Sequence, residues 1–304
     1  MRLDRLITLC VVSPLRHISS IVSKLGSQPR SDARRLPILM YHSISDDPEH
    51  GVAPYFRTTT TPKRFLEQMR FLKLRGWRGV SLRDSLRMRA NEHTDGSAEK
   101  PFALTFDDGY RDFLTAAIPA LQECGFGASM FLPTAFLSET DMPRQFLGRE
   151  CLTWRDIREL HSAGIEFGSH TVGHPALIDL TWTQIENELV NSKSEIELHL
   201  QDKISAFSYP FAFPQADEKF CLRFRKVLIS AGYQTCVTTE IGSSFEGDDP
   251  YCLRRLPVNE ADDLALLAAK IEGAYDWLAV PQHAYKNLKR AGNVRIGRSR
   301  RNGF

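Results

Sequence analysis

The sequence predicts an α/β fold, a distorted (β/α)7-type barrel that forms a single domain. Short apolar segments alternate with longer amphipathic ones from Leu36 onward, as parallel strands alternate with their crossover helices. About seven such units are closer to a barrel than to a doubly wound sheet. The chain has 304 residues, 42% of them hydrophobic and 25% charged, and this composition excludes collagen-like and wholly disordered classes.

In the first part of the chain, a helix is predicted from Thr61 to Leu74. Pro62 suits a first helical position, and Phe65, Met69 and Leu72 share one face. Glycine at position 76 ends the helix. Short apolar runs predict strands at 36–41, 79–81 and 102–106, and a further helix at 82–90.

In the second part, Gly125 is expected to close one helix, and Thr153 is expected to cap the next. The longest amphipathic segment, Thr183 to Leu200, predicts the longest helix. The predicted strands are 128–132, 165–169, 206–209 and 234–238, and the predicted helices are 115–125, 153–163, 183–200 and 218–231.

Two adjacent carboxylates, Asp107 and Asp108, follow the apolar strand that ends at Phe106, with Gly109 behind them. Successive side chains of a strand point to opposite sides, so the two acids are expected to have different tasks. One could bind a metal while the other handles a proton. The alternative is a simple Asp-Gly turn with solvated acids.

Other polar residues also follow predicted strands, among them His42 and His170. In a parallel barrel the carboxyl ends of all strands meet on one face, where such folds place their active sites. His170 and His174 are four residues apart and can face one ion, although such a pair is often incidental. Together with Asp108 they would form a metal site that leaves positions open for water and substrate.

The two segments Thr105–Gly109 and Ser169–His174 resemble the first two motifs of the polysaccharide deacetylase family, the NodB homology domain of carbohydrate esterase family 4. The resemblance implies that Asp108, His170 and His174 hold a divalent metal. Zn2+ is the usual ion, with Co2+, Ni2+ and Fe2+ as the other candidates. It also implies that Asp107 is the general base, and that the backbone N–H of Phe211 stabilises the oxyanion.

The third motif of the family, commonly Arg-Pro-Pro-Tyr-Gly, corresponds here to Ser208–Ala212 and lacks the arginine. The chain is similar to a subgroup, the poly-β-1,6-N-acetylglucosamine deacetylases, that has an early Met-Tyr-His and a late arginine. By this resemblance His42 is the general acid and Arg255 the partner of Asp107. Arg254 is the rival of Arg255, a surface ion pair would be another role for Arg255, and His42 could be a capping or core histidine.

Four residues near these motifs are predicted to contact substrate. They are Tyr41, Tyr110, Tyr209 and Pro210. Aromatic rings stack on sugar rings, although packing inside the barrel is the common alternative for such residues.

The two ends of the chain are basic. Residues 1–35 are predicted to be an N-terminal extension that could lie at a membrane interface, 36–280 the deacetylase domain, and 281–304 a disordered tail. An anionic membrane surface is one expected contact of these ends, whereas a nucleic acid is not expected, because the charge is not interleaved with aromatic residues. The oligomeric state is left open.

The compartment is predicted from the cysteines and the N-terminus. Six scattered cysteines without a CxxC pair favour a cytoplasmic or membrane-peripheral protein. The early apolar run has an acid before it and no clear cleavage site, and both features argue against a cleaved signal peptide. Export to the periplasm or cell surface is therefore only the alternative.

The function that the resemblance implies is metal-dependent hydrolysis of N-acetyl groups on amino sugars of a polysaccharide or glycolipid. Two alternatives remain at this point. The same groups would cleave an O-acetyl ester, and the altered third motif would also suit a catalytically silent glycan-binding domain.

Overall fold

A computed structural model describes residues 2–15, 34–91 and 100–284, with only the backbone described at Asn91. Eight parallel strands form the main sheet. In chain order they are β1 Ile38–Tyr41, β2 Trp77–Val80, β3 Lys100–Phe106, β4 Ser129–Leu132, β5 Glu166–Ser169, β6 Ala206–Ser208, β7 Thr235–Ile241 and β8 Leu253–Pro257.

Seven of these strands close into a barrel in the order β1, β3, β4, β5, β6, β7, β8, with β8 paired again to β1. Strand β2 lies outside the ring and pairs with the first half of β3, before β4 takes over the same edge. The predicted (β/α)7-type barrel is therefore confirmed.

Helices cover the outside of the barrel. They are α1 Leu3–Ile7, α2 Pro62–Leu74, α3 Leu82–Asn91, α4 Ile118–Cys124, α5 Trp154–Ser162, α6 Trp182–Leu200, α7 Glu218–Ser230 and α8 Leu264–Ile271. The predicted helix ends are largely reproduced, because their signals are local. Thr61 caps α2, Thr153 and Thr181 form capping boxes on α5 and α6, and Gly125 ends α4 with a φ of 68°.

Three elements depart from the sequence prediction. The helix expected at 115–125 begins as a π-helix, Phe113–Ala117, and only then continues as α4. Strand β8 and helix α8 both lie in the last fifth of the chain, where no element had been assigned from periodicity. Strand β8 contains two adjacent arginines, Arg254 and Arg255, in place of an apolar run, yet it closes the barrel.

The alternation of side chains along the strands divides the core into two layers. Ile38 of β1 and Ala103 of β3 belong to a small cluster inside the barrel, whereas Leu39 and Leu104 belong to the large cluster between barrel and helices. Phe131 fills the barrel interior opposite Gly168, where a Cβ atom would lie 2.6 Å from its ring. The residues that continue the inward positions at the strand ends therefore reach the mouth of the barrel.

The N-terminal residues 2–12 contact the barrel domain. The Arg2 guanidinium donates to Asp262 Oδ1 at 2.8 Å, Tyr275 donates its hydroxyl hydrogen to Asp4, and the Trp277 indole N–H donates to Thr8. Within the three described stretches, no helix has the length and apolar character needed to cross a bilayer. Most of the predicted tail lies beyond residue 284, outside the described residues, and the cellular location stays a prediction.

Candidate active site

The register of the strands aligns the carboxyl ends of two neighbouring pairs, β1 with β3 and β5 with β6. Tyr41 pairs with Phe106, and the amide of Asp107 donates to the Tyr41 carbonyl at 3.1 Å. On the other side of the barrel, Ser169 pairs with Phe207. The residues that follow, including His42 and His170, therefore meet at the carboxyl-end mouth, as the parallel arrangement predicts.

Asp108, His170 and His174 form a cluster of potential metal ligands, with one ligand atom from each residue lying within 4.8 Å of the others. Asp108 Oδ1 is 3.6 Å from His170 Nε2 and 3.5 Å from His174 Nε2, and the two imidazole nitrogens are 3.1 Å apart. Two imidazoles and one carboxylate leave coordination positions free, which is the arrangement of catalytic sites.

The donor atoms of this cluster fit a divalent metal. Asp108 Oδ1 is buried and has no hydrogen-bond partner among the described residues. The Nδ1 atom of His170 is engaged by the Ser208 carbonyl at 2.7 Å, which orients Nε2 toward the cluster. Burial, and then the charge of His170, lower the pKa of His174 to about 3, so this imidazole is neutral at neutral pH. A neutral imidazole is the form that binds a metal.

Asp107 lies beside this cluster but has different partners. Arg255 donates from Nη1 to Oδ1 at 2.8 Å and from Nη2 to Oδ2 at 2.7 Å, and the Ser208 hydroxyl lies 3.3 and 3.2 Å from the same two oxygens. Asp107 Oδ2 is 4.0 Å from His170 Nε2. Burial alone would raise the pKa of the Asp107 carboxyl, but the charges of Arg255 and His170 and the Arg255 hydrogen bonds together outweigh it and hold that pKa well below its ordinary value.

The two arginines of β8 lie in different environments. Arg255 is 1% exposed and points into the barrel, where Nε also donates to the Thr238 carbonyl. Arg254 is paired with Glu240 at 3.4 Å and its side chain is 36% exposed. Only Arg255 reaches Asp107. The short Ser208 side chain stands where the common motif has arginine, and it leaves the space that the Arg255 guanidinium fills while accepting from Nη2 at 3.0 Å.

His42 lies at the same mouth, partly buried. Burial is the largest influence on the pKa of both Asp107 and His174, and a positive charge on His42 adds a smaller lowering to each. His42 is therefore within electrostatic range of both residues. Its role as general acid stays a prediction.

Phe211 adopts a left-handed backbone conformation with a φ of 56°, unusual for an aromatic residue. Its ring is 56% exposed and lies 4.6 Å from the His174 ring, centroid to centroid. The residue is thus next to the candidate metal cluster, and the oxyanion role of its N–H stays a prediction.

The tyrosines predicted to contact substrate do not reach the mouth. Tyr41, Tyr110 and Tyr209 are each at most 1% exposed. The hydroxyl of Tyr41 donates to Gln68 of α2, since its position in β1 faces the helix layer, and Tyr209 packs against the Phe224 ring. Pro210 is buried as well. The burial of the three tyrosines favours the alternative of barrel packing, and their contact with substrate stays a prediction.

Strand alternation, which from the sequence is predicted to separate the two acids, is not what separates them. Strand β3 ends at Phe106, before the pair. Asp108 has a φ of 73° and begins a turn with Gly109, so the turn, and not strand alternation, directs the two carboxylates apart. Asp107 continues the inward positions of β3 toward Arg255, whereas the turn directs Asp108 toward the histidines.

Two contact residues were not predicted from the sequence. The sequence marks Ser208 only as the position of a missing arginine, and it gives no indication of the role of Glu188 in α6. One Glu188 oxygen, Oε2, accepts hydrogen bonds from the backbone N–H groups of Val172 and Gly173, between the two histidines. A glutamate on an amphipathic helix carries no signal for such a contact, because the partner lies in another element.

The chain matches the family model described as polysaccharide deacetylase over residues 94–235, which include both acids and both histidines. It is 28% identical over 239 residues to YxkH of Bacillus subtilis (strain 168), a protein named among the polysaccharide deacetylases, and the match covers 78% of this chain and 76% of YxkH. The chain contains a polysaccharide deacetylase domain. Its relatives support a deacetylase-type hydrolase.

Two further comparisons concern parts of this family. The poly-β-1,6-N-acetyl-D-glucosamine N-deacetylase of Escherichia coli (strain K12) is 29% identical over 143 residues, 44% of this chain and 20% of that protein. The solved structure of the Streptococcus pyogenes deacetylase PplD, in complex with acetate, superposes with a TM-score of 0.64 and 24% identity, covering 79% of this chain and 99% of PplD. The second likeness concerns the fold.

His42 and Arg255 lie outside the residues that the family model matches. The matched residues therefore include the candidate metal cluster, the candidate base and Ser208, whereas Arg255 comes from the last strand of the barrel and His42 follows the first. In the fold these two groups share one site.

Proposed function

We propose that this polysaccharide deacetylase removes N-acetyl groups from N-acetylated amino sugars in a polysaccharide or glycolipid. The observation that carries the proposal is the position of Asp107. Its carboxylate is held by two hydrogen bonds from Arg255 and lies 4.0 Å from an imidazole of the metal cluster. A charged base beside an open metal site is what hydrolysis of an unactivated amide requires.

Asp108, His170 and His174 would hold the divalent ion, for which Zn2+ is the first candidate. Bound there, the ion would polarise the acetamide carbonyl and acidify a water molecule, which allows a carboxylate of low basicity to act as the base.

The remaining work falls to the residues of the chain. Asp107 is charged at neutral pH, because Arg255 keeps its pKa low, and it accepts the proton of the attacking water. Arg255 and Ser208 hold both carboxylate oxygens, so the base cannot rotate away from its position. The backbone N–H of Phe211 is the proposed donor to the oxyanion that develops on the substrate.

His42 completes the scheme as the proposed general acid. An amine is a poor leaving group unless it is protonated, so a proton must be delivered to the sugar nitrogen as the C–N bond breaks. His42 lies at the mouth on the β1 side, near Asp107, and an imidazole can supply a proton in the neutral pH range.

Acetate release provides the test. The protein with added Zn2+ or Co2+ is incubated with N-acetylglucosamine oligomers of β-1,4 and of β-1,6 linkage, and free acetate and new primary amines are measured. We expect both products in equal amounts from at least one oligomer. Stoichiometric zinc without acetate from any amino-sugar substrate would contradict the proposal and favour a glycan-binding domain.

A further inference from the structure

The loop that carries the two histidines has an unfavourable backbone conformation. Thr171 has a φ of 73° and His174 a φ of 52°, and neither residue is glycine or asparagine. A β-branched residue at positive φ is a genuine outlier and costs free energy. Other contacts must therefore hold this loop in place.

Some of these contacts lie within the loop or come from the short 3-10 helix, Thr134–Phe136, that follows β4. The amide of His174 donates to Thr171 Oγ1 at 2.9 Å, and the Thr171 hydroxyl donates to the His170 carbonyl. The amides of Thr134 and Ala135 donate to carbonyl oxygens of the loop at 3.2 and 2.9 Å. These bonds satisfy carbonyl groups of the loop and the amide of His174, but not the amides of Val172 and Gly173.

The two central amides are satisfied by Glu188. Its Oε2 atom accepts from Val172 N at 2.8 Å and from Gly173 N at 3.0 Å. Consecutive backbone N–H groups that converge on one oxygen hold the segment between the two histidines in one conformation. One turn further along α6, the Ser192 hydroxyl contacts the Ser169 hydroxyl at 2.6 Å, so one face of this helix follows the loop.

We propose that Glu188 is a positioning residue that fixes the spacing of His170 and His174, and thereby the metal affinity of the site. Glu188 does not act on the reacting atoms directly. It acts through the backbone between the two ligands. This inference rests on the proposed metal site and adds a residue that determines its geometry. Groups that orient metal ligands typically contribute about 10–100-fold to metal affinity.

Two variants separate the effect of side-chain length from the effect of side-chain charge. Glu188→Gln keeps the length of the side chain and an oxygen that can accept both amides, but it removes the charge. Glu188→Asp keeps the charge, but it is one methylene shorter. If the two hydrogen bonds matter, the glutamine variant should resemble the wild type, and the aspartate variant should resemble Glu188→Ala.

The measurement is the affinity for Zn2+ alone, by competition with a chromogenic chelator, together with urea unfolding of each metal-free protein. We expect Glu188→Ala and Glu188→Asp to bind zinc at least about tenfold more weakly, and Glu188→Gln within about threefold of the wild type. Glu186→Ala, at an exposed position of the same helix, is the matched control and should bind as the wild type does.

Three results would overturn the proposal. Unchanged zinc affinity in Glu188→Ala, even with lower stability, would make Glu188 a purely structural residue. Strong binding by the aspartate variant with weak binding by the glutamine variant would show that charge, not position, is what matters. If the wild type itself does not bind zinc, the metal site and the proposed function are both contradicted. If the wild type and Glu186→Ala bind zinc and Glu188→Ala binds it equally well, only the role of Glu188 is contradicted.

Discussion

Arg255 and Asp107 are 148 positions apart in the chain, yet they share two hydrogen bonds of 2.8 and 2.7 Å inside the barrel. Both side chains are buried, with 0% and 2% exposure. Neither charge is compatible with this environment alone, so each residue depends on the other. The adjacent Arg254 has no part in this pair.

Replacing Arg255 should therefore have a large effect that replacing Arg254 does not. We expect Arg255→Met to lower kcat for deacetylation by at least about 100-fold, because Asp107 loses its orientation and its charged form. Removing one partner of a buried pair should also lower the free energy of unfolding by about 3 to 5 kcal/mol. In Arg254→Met, activity should stay close to that of the wild type. Similar losses in both variants would contradict the assignment of Arg255.

The two acids should separate in metal binding. Asp107→Asn is expected to keep zinc while losing kcat by about 100-fold or more, because its partners are Arg255 and Ser208. Asp108→Asn should lose zinc, because it removes the charged ligand of the cluster. Metal content after gel filtration, measured beside activity, checks both. Loss of zinc in both variants, with both proteins folded, would show that the tasks are not divided.

His42 should matter more for amides than for esters. An alcohol leaves more readily than an amine without prior protonation, so a missing general acid affects amide hydrolysis most. We expect His42→Ala to lower kcat/KM for an N-acetylglucosamine oligomer by at least about 100-fold, and for an activated acetate ester by much less. Unchanged amide hydrolysis in this variant would show that another group delivers the proton.

The N-terminal contact should stabilise the protein in a pH-dependent way. Burial raises the pKa of Asp4, but the hydrogen bonds from Arg2 and Tyr275 outweigh it and lower that pKa. A carboxyl whose folded pKa is lowered stabilises the fold above its ordinary pKa of about 3.9, and this contribution is lost as the pH falls toward the folded value. Asp4→Asn should thus cost about 1.5 to 3 kcal/mol at pH 7, and less near pH 3.

Urea unfolding of the metal-free protein at both pH values tests this expectation. Asp46→Asn, at an exposed position on the surface, is the control and should change little at either pH. An equal cost of Asp4→Asn at pH 7 and pH 3 would mean that the carboxylate charge does not contribute.

Much of the barrel could be predicted because its signals are local. The Thr61, Thr153 and Thr181 caps and the Gly125 terminus act within one turn of the helices that they limit, and the sequence contains them directly. Strand β8 has two adjacent arginines in place of an apolar run, so no local pattern predicts it, although it closes the ring.

The tyrosines show the limit of sequence reasoning most clearly. An aromatic residue beside a motif is equally suited to a sugar ring and to a core. The period-two alternation of β1 places Tyr41 on the helix side, against Phe65 and Gln68, and it places the next residue, His42, toward the interior. The strand register that decides between these environments is a property of the closed barrel.

The chemical groups of the site can be read from residue types and their spacing: two acids after a strand, two histidines four apart, and the altered Ser208–Ala212 motif. Which arginine meets Asp107, and that Glu188 holds the histidine loop, became known from the folded barrel. These partners are far apart along the chain. Charge pairing and backbone hydrogen bonding act over a few ångströms, and barrel closure, not sequence proximity, brings these groups within that range.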